Sequence, residues 1–228
     1  MLAERRITEE LMDDPALPEA TYRAVLADLA RVNAATLAAR PTLAFLDRAL
    51  AGRDSFALLD VGFGHGDMLR RIARWAAAQG KQARLVGVDL NPRSLPCALA
   101  ATDPALPITY VTGDYADLAG EGFDCVVSSL VAHHMTGDQL AAFLRFMDAE
   151  AQAGWLVNDL HRHTFSYLGY PLLARLLGAH PIVRKDGQTS IARAFRPAEW
   201  HSMLDMADIQ GARVQRFFPY RLCVSKIR

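Results

Sequence analysis

The pattern of apolar positions divides the chain into a helical N-terminal part and a longer part in which strands alternate with helices. Within residues 1–51, Leu26, Leu29 and Val32 share one helical face, and a second apolar helical set follows Pro41. We predict that residues 1–51 form a helical N-terminal cap. Such a cap packs on the core, covers a substrate as a lid, or does both.

From residue 56, short apolar runs of strand length alternate with helical segments. The predicted strands are "FALLDVG", "ARLVGVDL", "ITYVTGD", "FDCVVSSL" and "GWLVNDL", and one helix between them begins at a Thr136 cap. Because these runs are apolar throughout, we predict an α/β fold with a mostly parallel, doubly wound sheet. Two last strands, "ARVQRFFP" and "YRLCVSKI", have no helix between them and predict an antiparallel hairpin that completes seven strands.

About 40 residues between the fifth strand and the last helix are longer than an ordinary connection. This segment, residues 160–200, carries Phe165, Tyr170 and an apolar helix over residues 172–177, and its "RKDGQTS" predicts a turn. It is either a helix on the sheet edge, a dimer contact, or an apolar wall for an aromatic or polyketide-like substrate. We therefore assign residues 52–228 to the main domain, with 160–200 as a substrate-side insertion.

Composition and charge restrict the class of protein. The chain is 51% hydrophobic and 22% charged with a formal net charge of zero, so no overall field attracts nucleic acid or an anionic membrane. Cys97, Cys125 and Cys223 have neither disulfide nor zinc spacing and predict thiols in a reducing compartment. Without an apolar signal segment at the N-terminus, we expect a cytoplasmic protein.

The run "LLDVGFGHGDML", residues 58–69, combines a strand end, a glycine-rich turn and a helix start. Gly62, Gly64 and Gly66 allow a close approach of the backbone to a ligand, but the lysine of a P-loop is missing. A dinucleotide loop has G-x-G-x-x-G, and Asp60 places a carboxylate where a pyrophosphate needs positive charge. A nucleoside with a cationic end, such as S-adenosylmethionine, fits this acid better.

Four motifs in order resemble those of class I S-adenosylmethionine-dependent methyltransferases that act on small molecules. "LLDVGFGHGDML" resembles the first motif, "VGVDLNP" the second, "VTGDYADL" the third and "FDCVVSSLVAHHM" the fourth, and the hairpin resembles the antiparallel seventh strand of that family. The resemblance covers about residues 56–228. It implies S-adenosyl-L-methionine as cofactor and S-adenosyl-L-homocysteine as product.

The same resemblance implies roles for individual residues. Asp89 is expected to bind the ribose hydroxyls, Asp114 the adenine amino group and Tyr115 the adenine ring. The alternatives are a helix cap for Asp89 and a turn for Asp114. The implied cofactor-binding residues are Asp60, Gly62, Phe63, Gly64, Gly66, Asp89, Leu90, Gly113, Asp114, Tyr115 and Ser129.

Histidines follow two of the predicted strands and suit the deprotonation of an acceptor. Methyl transfer is an in-line displacement that depends on positioning, and a phenol with a pKa near 10 benefits from a base near working pH. His133 and His134 follow the fourth strand, and His161 follows the fifth, at the same edge of the sheet. We predict His134 as the base, ahead of His133 and then His161, with Asp159 available to orient an imidazole.

Two metal sites are conceivable, but neither pattern is strong, and we predict no metal. One would join His161 and His163 to a histidine of the first pair. The other would use Asn158 and Asp159 for magnesium. Arg162 is expected either to pair with an acid or to neutralise an anionic substrate.

The predicted function is methyl transfer to a small, largely apolar acceptor, preferably a phenolic hydroxyl of a secondary metabolite. Methylation of carbon or nitrogen, an NAD-dependent oxidoreductase and a non-catalytic cofactor-binding protein are the alternatives. We expect a monomer or homodimer with a small-molecule substrate and with neither a nucleic-acid nor a membrane partner.

Overall fold

The computed structural model describes residues 2–228. The N-terminal segment contains a short 3-10 helix (Leu11–Asp13), α1 (Glu19–Ala35) and α2 (Arg40–Ala49). The rest consists of β1 (Ser55–Val61), α3 (Asp67–Ala78), β2 (Gln82–Asp89), α4 (Ser94–Ala100), β3 (Ile108–Thr112), β4 (Cys125–Ser129), α5 (Gly137–Glu150), β5 (Gly154–Leu160), α6 (Thr164–Leu176), α7 (Pro181–Arg193), α8 (Pro197–Met206), β6 (Arg213–Phe217) and β7 (Arg221–Ile227). Two more 3-10 helices, Tyr115–Leu118 and Ala132–His134, follow β3 and β4.

The strands of this described chain form one sheet of seven in the order β3-β2-β1-β4-β5-β7-β6. Neighbouring strands from β3 to β5 are parallel, whereas β7 runs antiparallel to both β5 and β6. The predicted doubly wound sheet with a C-terminal antiparallel hairpin is therefore confirmed. Strand order reverses between β1 and β4, and ligands bind at the carboxyl ends of the strands at such a point.

Apolar side chains cover both faces of the sheet, which explains the continuous apolar character of its strands. Trp155 and Phe143 are fully buried in the layer that includes α5 and α8, and Leu46, Leu69 and Ile72 are fully buried in the layer of α2 and α3. Burying each such aliphatic or aromatic side chain contributes about 1.5–3 kcal/mol. The sheet is thus a rigid base for the loops at its carboxyl edge.

The two helices of the N-terminal cap have different positions. Helix α2 packs against β5 and β7, and the buried Asn158 side chain donates to Ala38 O (2.8 Å) and to Thr42 Oγ1 (3.1 Å). Helix α1 instead lies at the carboxyl edge of the sheet, where the Tyr22 hydroxyl is 3.0 Å from Ser94 Oγ. The segment is helical as predicted. Of its two α-helices, α1 lies over the carboxyl edge of the sheet and α2 does not. Asn158, considered as a magnesium ligand, ties α2 to the sheet.

The insertion forms two helices, so the turn predicted at "RKDGQTS" is wrong: this stretch lies inside α7. Its polar and small residues serve tertiary contacts. Asp186 accepts the backbone N–H groups of Leu11 and Met12, both at 2.9 Å. At Gly187 a side chain would collide with the ring of Tyr170, so this glycine permits close packing of α6 on α7 rather than a turn.

Cys97, Cys125 and Cys223 are buried thiols. Across residues 2–228, no helix combines the length and the apolar character that crossing a membrane requires.

Candidate active site

A cavity of about 610 Å³ lies at the carboxyl edge of the sheet. The glycine loop after β1 forms its floor, α1 contributes Leu26 and Leu29, and the insertion contributes Tyr170 and Leu173. This volume is in the usual range of small-molecule sites. Both the cap and the insertion therefore contribute residues to the wall of one cavity. The lid and substrate-wall roles of the two segments stay predictions.

The glycine loop requires glycine where it borders the cavity. Gly62 and Gly64 have φ angles of 82° and 50°, and a side chain at Gly62 would also collide with Val131. The Gly64 N–H donates to Asp89 Oδ2 at 2.9 Å, which ties the loop after β1 to the end of β2. Gly66, at the start of α3, packs against Tyr110 and is not among the residues that line the cavity.

Asp60 presents a buried carboxylate to the cavity. Its side chain is at the end of β1 and only 1% exposed, and within the described chain its Oδ1 has no hydrogen-bond donor. Burial first, and then the nearby Asp67 and Asp89, raise the pKa of Asp60 to about 8. An ionised Asp60 would therefore be stabilised by a cationic group in the cavity and would repel a phosphate.

Asp89 both organises the loop and faces the cavity. Its Oδ1 accepts the Asn91 N–H at 2.9 Å, while Oδ2 accepts that of Gly64. Burial raises the pKa of this carboxyl above its usual value. Leu90 beside it is 70% exposed and also lines the cavity. The helix-cap alternative for Asp89 does not match the structure, because α4 begins at Ser94 with Arg93 at its N-cap. The ribose contact stays a prediction.

Of the two residues predicted to bind adenine, only Tyr115 lines the cavity, whereas Asp114 does not. The Tyr115 ring lines the cavity and packs between Phe143 and Phe146, with ring centroids 4.9 and 4.8 Å away. Asp114 is exposed, and its Oδ1 accepts the Ala116 N–H at 2.9 Å, as the turn alternative describes. Asp114 does not line the cavity. The other predicted cofactor residues that do are Phe63, Gly113 and Ser129.

His133 is fixed by Asp159. It lies in the 3-10 helix after β4, is 2% exposed, and places Nδ1 2.7 Å from Asp159 Oδ1, while its backbone N–H donates to Asp159 Oδ2 at 2.8 Å. Burial disfavours the imidazolium, but the Asp159 carboxylate and then Glu10 outweigh it and raise the pKa of His133 to about 9. The orienting role predicted for Asp159 is therefore directed at His133.

His134 is the accessible member of the pair. Its side chain is 32% exposed and its ring centroid lies 4.3 Å from that of His133. Burial and the neighbouring charge of His133 lower the pKa of His134 to about 4, so it is a neutral imidazole at neutral pH. Both histidines line the cavity, together with Glu10.

Glu10 is a site residue that sequence reasoning missed. It is only 5% exposed, and Oε1 accepts the Ser190 hydroxyl at 2.7 Å. Its local sequence, "ITEELMDD", contains four acids and gives no signal that distinguishes this one. Only the packing of the N-terminal segment on α7 brings Glu10 to the histidines.

His161 does not join the histidine pair. It lies with His163 and Arg216 in a separate hollow of about 270 Å³ at the hairpin. The His161 N–H donates to Tyr220 O at 2.9 Å, so the backbone continues to follow the hairpin beyond β5 and carries the side chain away from the central cavity. Burial and the charge of Arg216 lower the pKa of His161 to about 4.

Arg162 and Arg221 have contrasting environments. The buried Arg162 pairs with Glu199 and donates to backbone carbonyls, which matches the first of its two predicted roles. Arg221, at the start of β7, is 2% exposed, lines the cavity and donates to Asn33 Oδ1 at 3.3 Å. Among residues 2–228 its Nη1 has no acceptor. No sequence signal marked this arginine.

Part of the chain matches the model of a known protein family. The model of a family described as "Methyltransferase domain" matches residues 58–150. This stretch is similar to the domain that the family shares. A search of the curated proteins finds no match to the sequence.

Solved methyltransferases share the fold of nearly the whole chain. One is the magnesium protoporphyrin IX methyltransferase of Synechocystis, at 16% identity and a TM-score of 0.56, with 95% of this chain and 90% of that chain covered. A plantazolicin methyltransferase is 12% identical with a TM-score of 0.67, and the match covers 92% of this chain and 95% of that chain. Human N-acetylserotonin methyltransferase is 13% identical with a TM-score of 0.64, and the match covers 92% of this chain and 56% of that chain. At these identities the likeness concerns the fold, and the predicted resemblance to class I methyltransferases is confirmed.

Proposed function

We propose that the chain transfers a methyl group from S-adenosylmethionine to a hydroxyl group of a small, largely apolar acceptor, preferably a phenol. The observation that carries the proposal is one continuous cavity that reaches from the glycine loop and the buried Asp60 carboxylate to the His133–His134 pair. A cofactor at the first end and an acceptor at the second would meet inside it.

The cofactor end suits a nucleoside with a cationic tail. S-adenosylmethionine supplies an electrophilic methyl group on a sulfonium centre, and a similar methyltransferase of plantazolicin was solved with S-adenosylhomocysteine. Asp60 would hold the α-ammonium group, Asp89 the ribose hydroxyls and Tyr115 a face of the adenine ring. The same carboxylate disfavours the pyrophosphate of NAD, which counts against an oxidoreductase.

The acceptor end is largely apolar. Leu29 of α1 packs in one apolar cluster with Tyr170 of the insertion, and both line the cavity together with Leu173. Phe165 of α6 also lines the cavity, and the same helix exposes further apolar side chains: Leu168 at 61%, Leu172 at 63% and Leu176 at 77%. A ring with an alkyl substituent would match this continuous apolar lining.

Two polar groups favour oxygen as the acceptor atom. His134 is neutral at neutral pH and reaches the cavity, so it can accept the proton that a hydroxyl loses as its oxygen attacks the methyl carbon. The Nη1 of Arg221 has a hydrogen to donate and suits a hydroxyl or phenolate oxygen. An ammonium or amine nitrogen would gain nothing from this guanidinium. Methylation of carbon or nitrogen is the alternative.

A matched pair of acceptors tests the proposal. The purified chain is incubated with S-adenosylmethionine and either para-nonylphenol or para-nonylaniline, and mass spectrometry follows S-adenosylhomocysteine and the methylated product. We expect the methyl ether of the phenol to dominate. Methylated aniline alone would favour the nitrogen alternative, and binding of NAD without binding of S-adenosylhomocysteine would refute the proposal.

A further inference from the structure

Glu10, His133 and His134 direct three potential metal ligands to one point in the cavity wall. Oε1 of Glu10 is 3.6 Å from His133 Nε2 and 3.7 Å from His134 Nε2. One ligand atom from each of the three residues lies within 4.8 Å of the others. We propose that these three side chains bind one divalent ion of the zinc class.

The spacing of the ligand atoms suits a central ion. A tetrahedral zinc ion with bonds of about 2.1 Å separates its ligand atoms by about 3.4 Å. The two measured nitrogen–oxygen distances exceed this value by only a few tenths of an ångström. Two histidines and one glutamate are also a recurrent ligand set of catalytic zinc, in which the fourth position stays open to water or substrate.

The surroundings of the ligands have the form of a metal site. Asp159, as an ionised carboxylate, accepts a hydrogen bond from His133 Nδ1 at 2.7 Å. A bound ion would displace the proton from His133 Nε2, and the lone pair freed in this way lies 3.6 Å from Glu10 Oε1. Carboxylate–histidine pairs of this kind fix the ring and tautomer of metal ligands. Ser190 Oγ donates to the Glu10 carboxylate at 2.7 Å and holds the third ligand.

A proton shared between the same groups explains the geometry less well. At 3.6 Å and 3.7 Å, both imidazole nitrogens are beyond hydrogen-bond distance from the one Glu10 oxygen. In the described chain the buried His133 Nε2 has no hydrogen-bond partner at all. A bridging proton would shorten one of these contacts, whereas an ion between three ligands keeps both at intermediate length.

The ion would face the acceptor, because all three ligands line the cavity. This consequence rests on the proposed function. A hydroxyl oxygen in the open position would lose its proton to the solvent more readily, because a bound divalent ion lowers the pKa of an oxygen ligand. With the ion in place, Nε2 of His134 is a ligand rather than a base, so the two roles exclude each other.

Metal binding by the full chain tests the site without any acceptor. Chelator-treated protein is titrated calorimetrically with Zn²⁺ and, separately, with Co²⁺ while the visible absorption is followed. We expect one equivalent of Zn²⁺ and the intense d–d bands of four-coordinate Co²⁺. Glu10→Gln and His134→Ala should each weaken Zn²⁺ binding about 100-fold or more, and Asp159→Asn about 10- to 100-fold.

His201→Ala, which removes an exposed histidine on α8, is the matched control and should bind Zn²⁺ like the wild type. Circular dichroism confirms that each variant folds. No Zn²⁺ binding, or binding that survives both Glu10→Gln and His134→Ala, would overturn the site. S-adenosylhomocysteine titration is run in parallel: its failure with intact Zn²⁺ binding would refute the proposed function and leave the metal site standing. Full turnover of the phenol by metal-stripped protein would refute the catalytic role of the ion.

Discussion

The charge state of Asp60 should make cofactor binding depend on pH. Without ligand, burial and the nearby acids raise its pKa to about 8, so the carboxyl is mostly protonated at neutral pH. An ammonium group in the cavity favours the ionised carboxylate, and binding therefore releases a proton. Affinity should rise with pH until Asp60 is ionised in the unliganded protein.

The magnitude follows from the pKa. With a pKa of about 8, roughly one-tenth of the Asp60 side chains are ionised at pH 7 and roughly one-hundredth at pH 6. The dissociation constant of S-adenosylhomocysteine should thus increase about ninefold from pH 7 to pH 6, with about 0.9 proton released per ligand at pH 7. The α-ammonium group of the ligand stays largely protonated over this interval.

Calorimetry in two buffers of different ionisation enthalpy measures both quantities. Asp60→Asn keeps the shape but removes the charge, so it should weaken binding at pH 7 about 10- to 150-fold and abolish the pH dependence and the proton release. A wild-type affinity that is flat between pH 6 and pH 7, or unchanged affinity in the variant, would refute the assignment of Asp60 to the cationic end.

The raised pKa of Asp60 also affects the stability of the fold. Stability should fall with rising pH, whereas cofactor affinity should rise. Because the folded-state pKa of Asp60 is raised from 3.8 to about 8, the unliganded folded protein binds more protons than the unfolded chain between these values. Its stability should therefore fall as pH rises through this window. Asp60→Asn should unfold at a higher temperature than the wild type at pH 8 in the absence of cofactor, as expected for a binding group that is retained at a cost in stability.

Three further variants test other parts of the site. His134→Ala should lower kcat about 100-fold with S-adenosylhomocysteine affinity unchanged, and an equal loss in both would indicate misfolding rather than a lost base or ligand. Arg221→Met should raise the KM of the phenol about 10- to 150-fold, with partial recovery in Arg221→Lys. Gly62→Ala should destabilise the fold by about 2–4 kcal/mol and lower Tm by roughly 5–15 °C, because strain at positive φ adds to a collision with Val131. Gly52→Ala, also at positive φ but without neighbours, should cost only about 1 kcal/mol, and equal losses in the two variants would exclude the collision.

Local signals explain why much of the fold was predictable. The predicted Thr136 cap forms at the start of α5, where Thr136 Oγ1 accepts the Gln139 N–H at 3.3 Å. The structure adds a reciprocal bond, because the Thr136 N–H donates to Gln139 Oε1 at 2.9 Å. The apolar runs of the strands predict burial on both faces. The glycine loop was predictable for the same reason, because Gly62, Gly64 and the acid before them are adjacent in sequence and act within one turn.

Local signals failed where a residue's role comes from a distant contact. Gly187 has the appearance of a turn residue, but it lies inside α7, where the ring of Tyr170 occupies the space that a side chain would need. His161 follows the same edge of the sheet as His133, yet pairing along the hairpin carries it into another hollow. The partners are Tyr170 for Gly187 and Tyr220 for His161, and both are distant in the sequence. Neither local propensity nor residue spacing can predict such contacts.

The two ends of the cavity differ in how far the sequence predicts them, and this difference has a structural origin. The proposed cofactor end is built from the turns after β1, β2 and β3, so a short motif describes each expected contact. The acceptor end joins segments far apart in the chain: Ser190 is 180 residues from Glu10, and Asp159 is 26 residues from His133. Arg193 of α7 adds to this assembly by donating to the backbone carbonyls of His133 (3.3 Å) and Thr8 (2.9 Å). If the proposed function holds, the packing of the N-terminal segment on the insertion shapes the acceptor end, and substitutions in either segment should change acceptor selectivity before they change cofactor affinity.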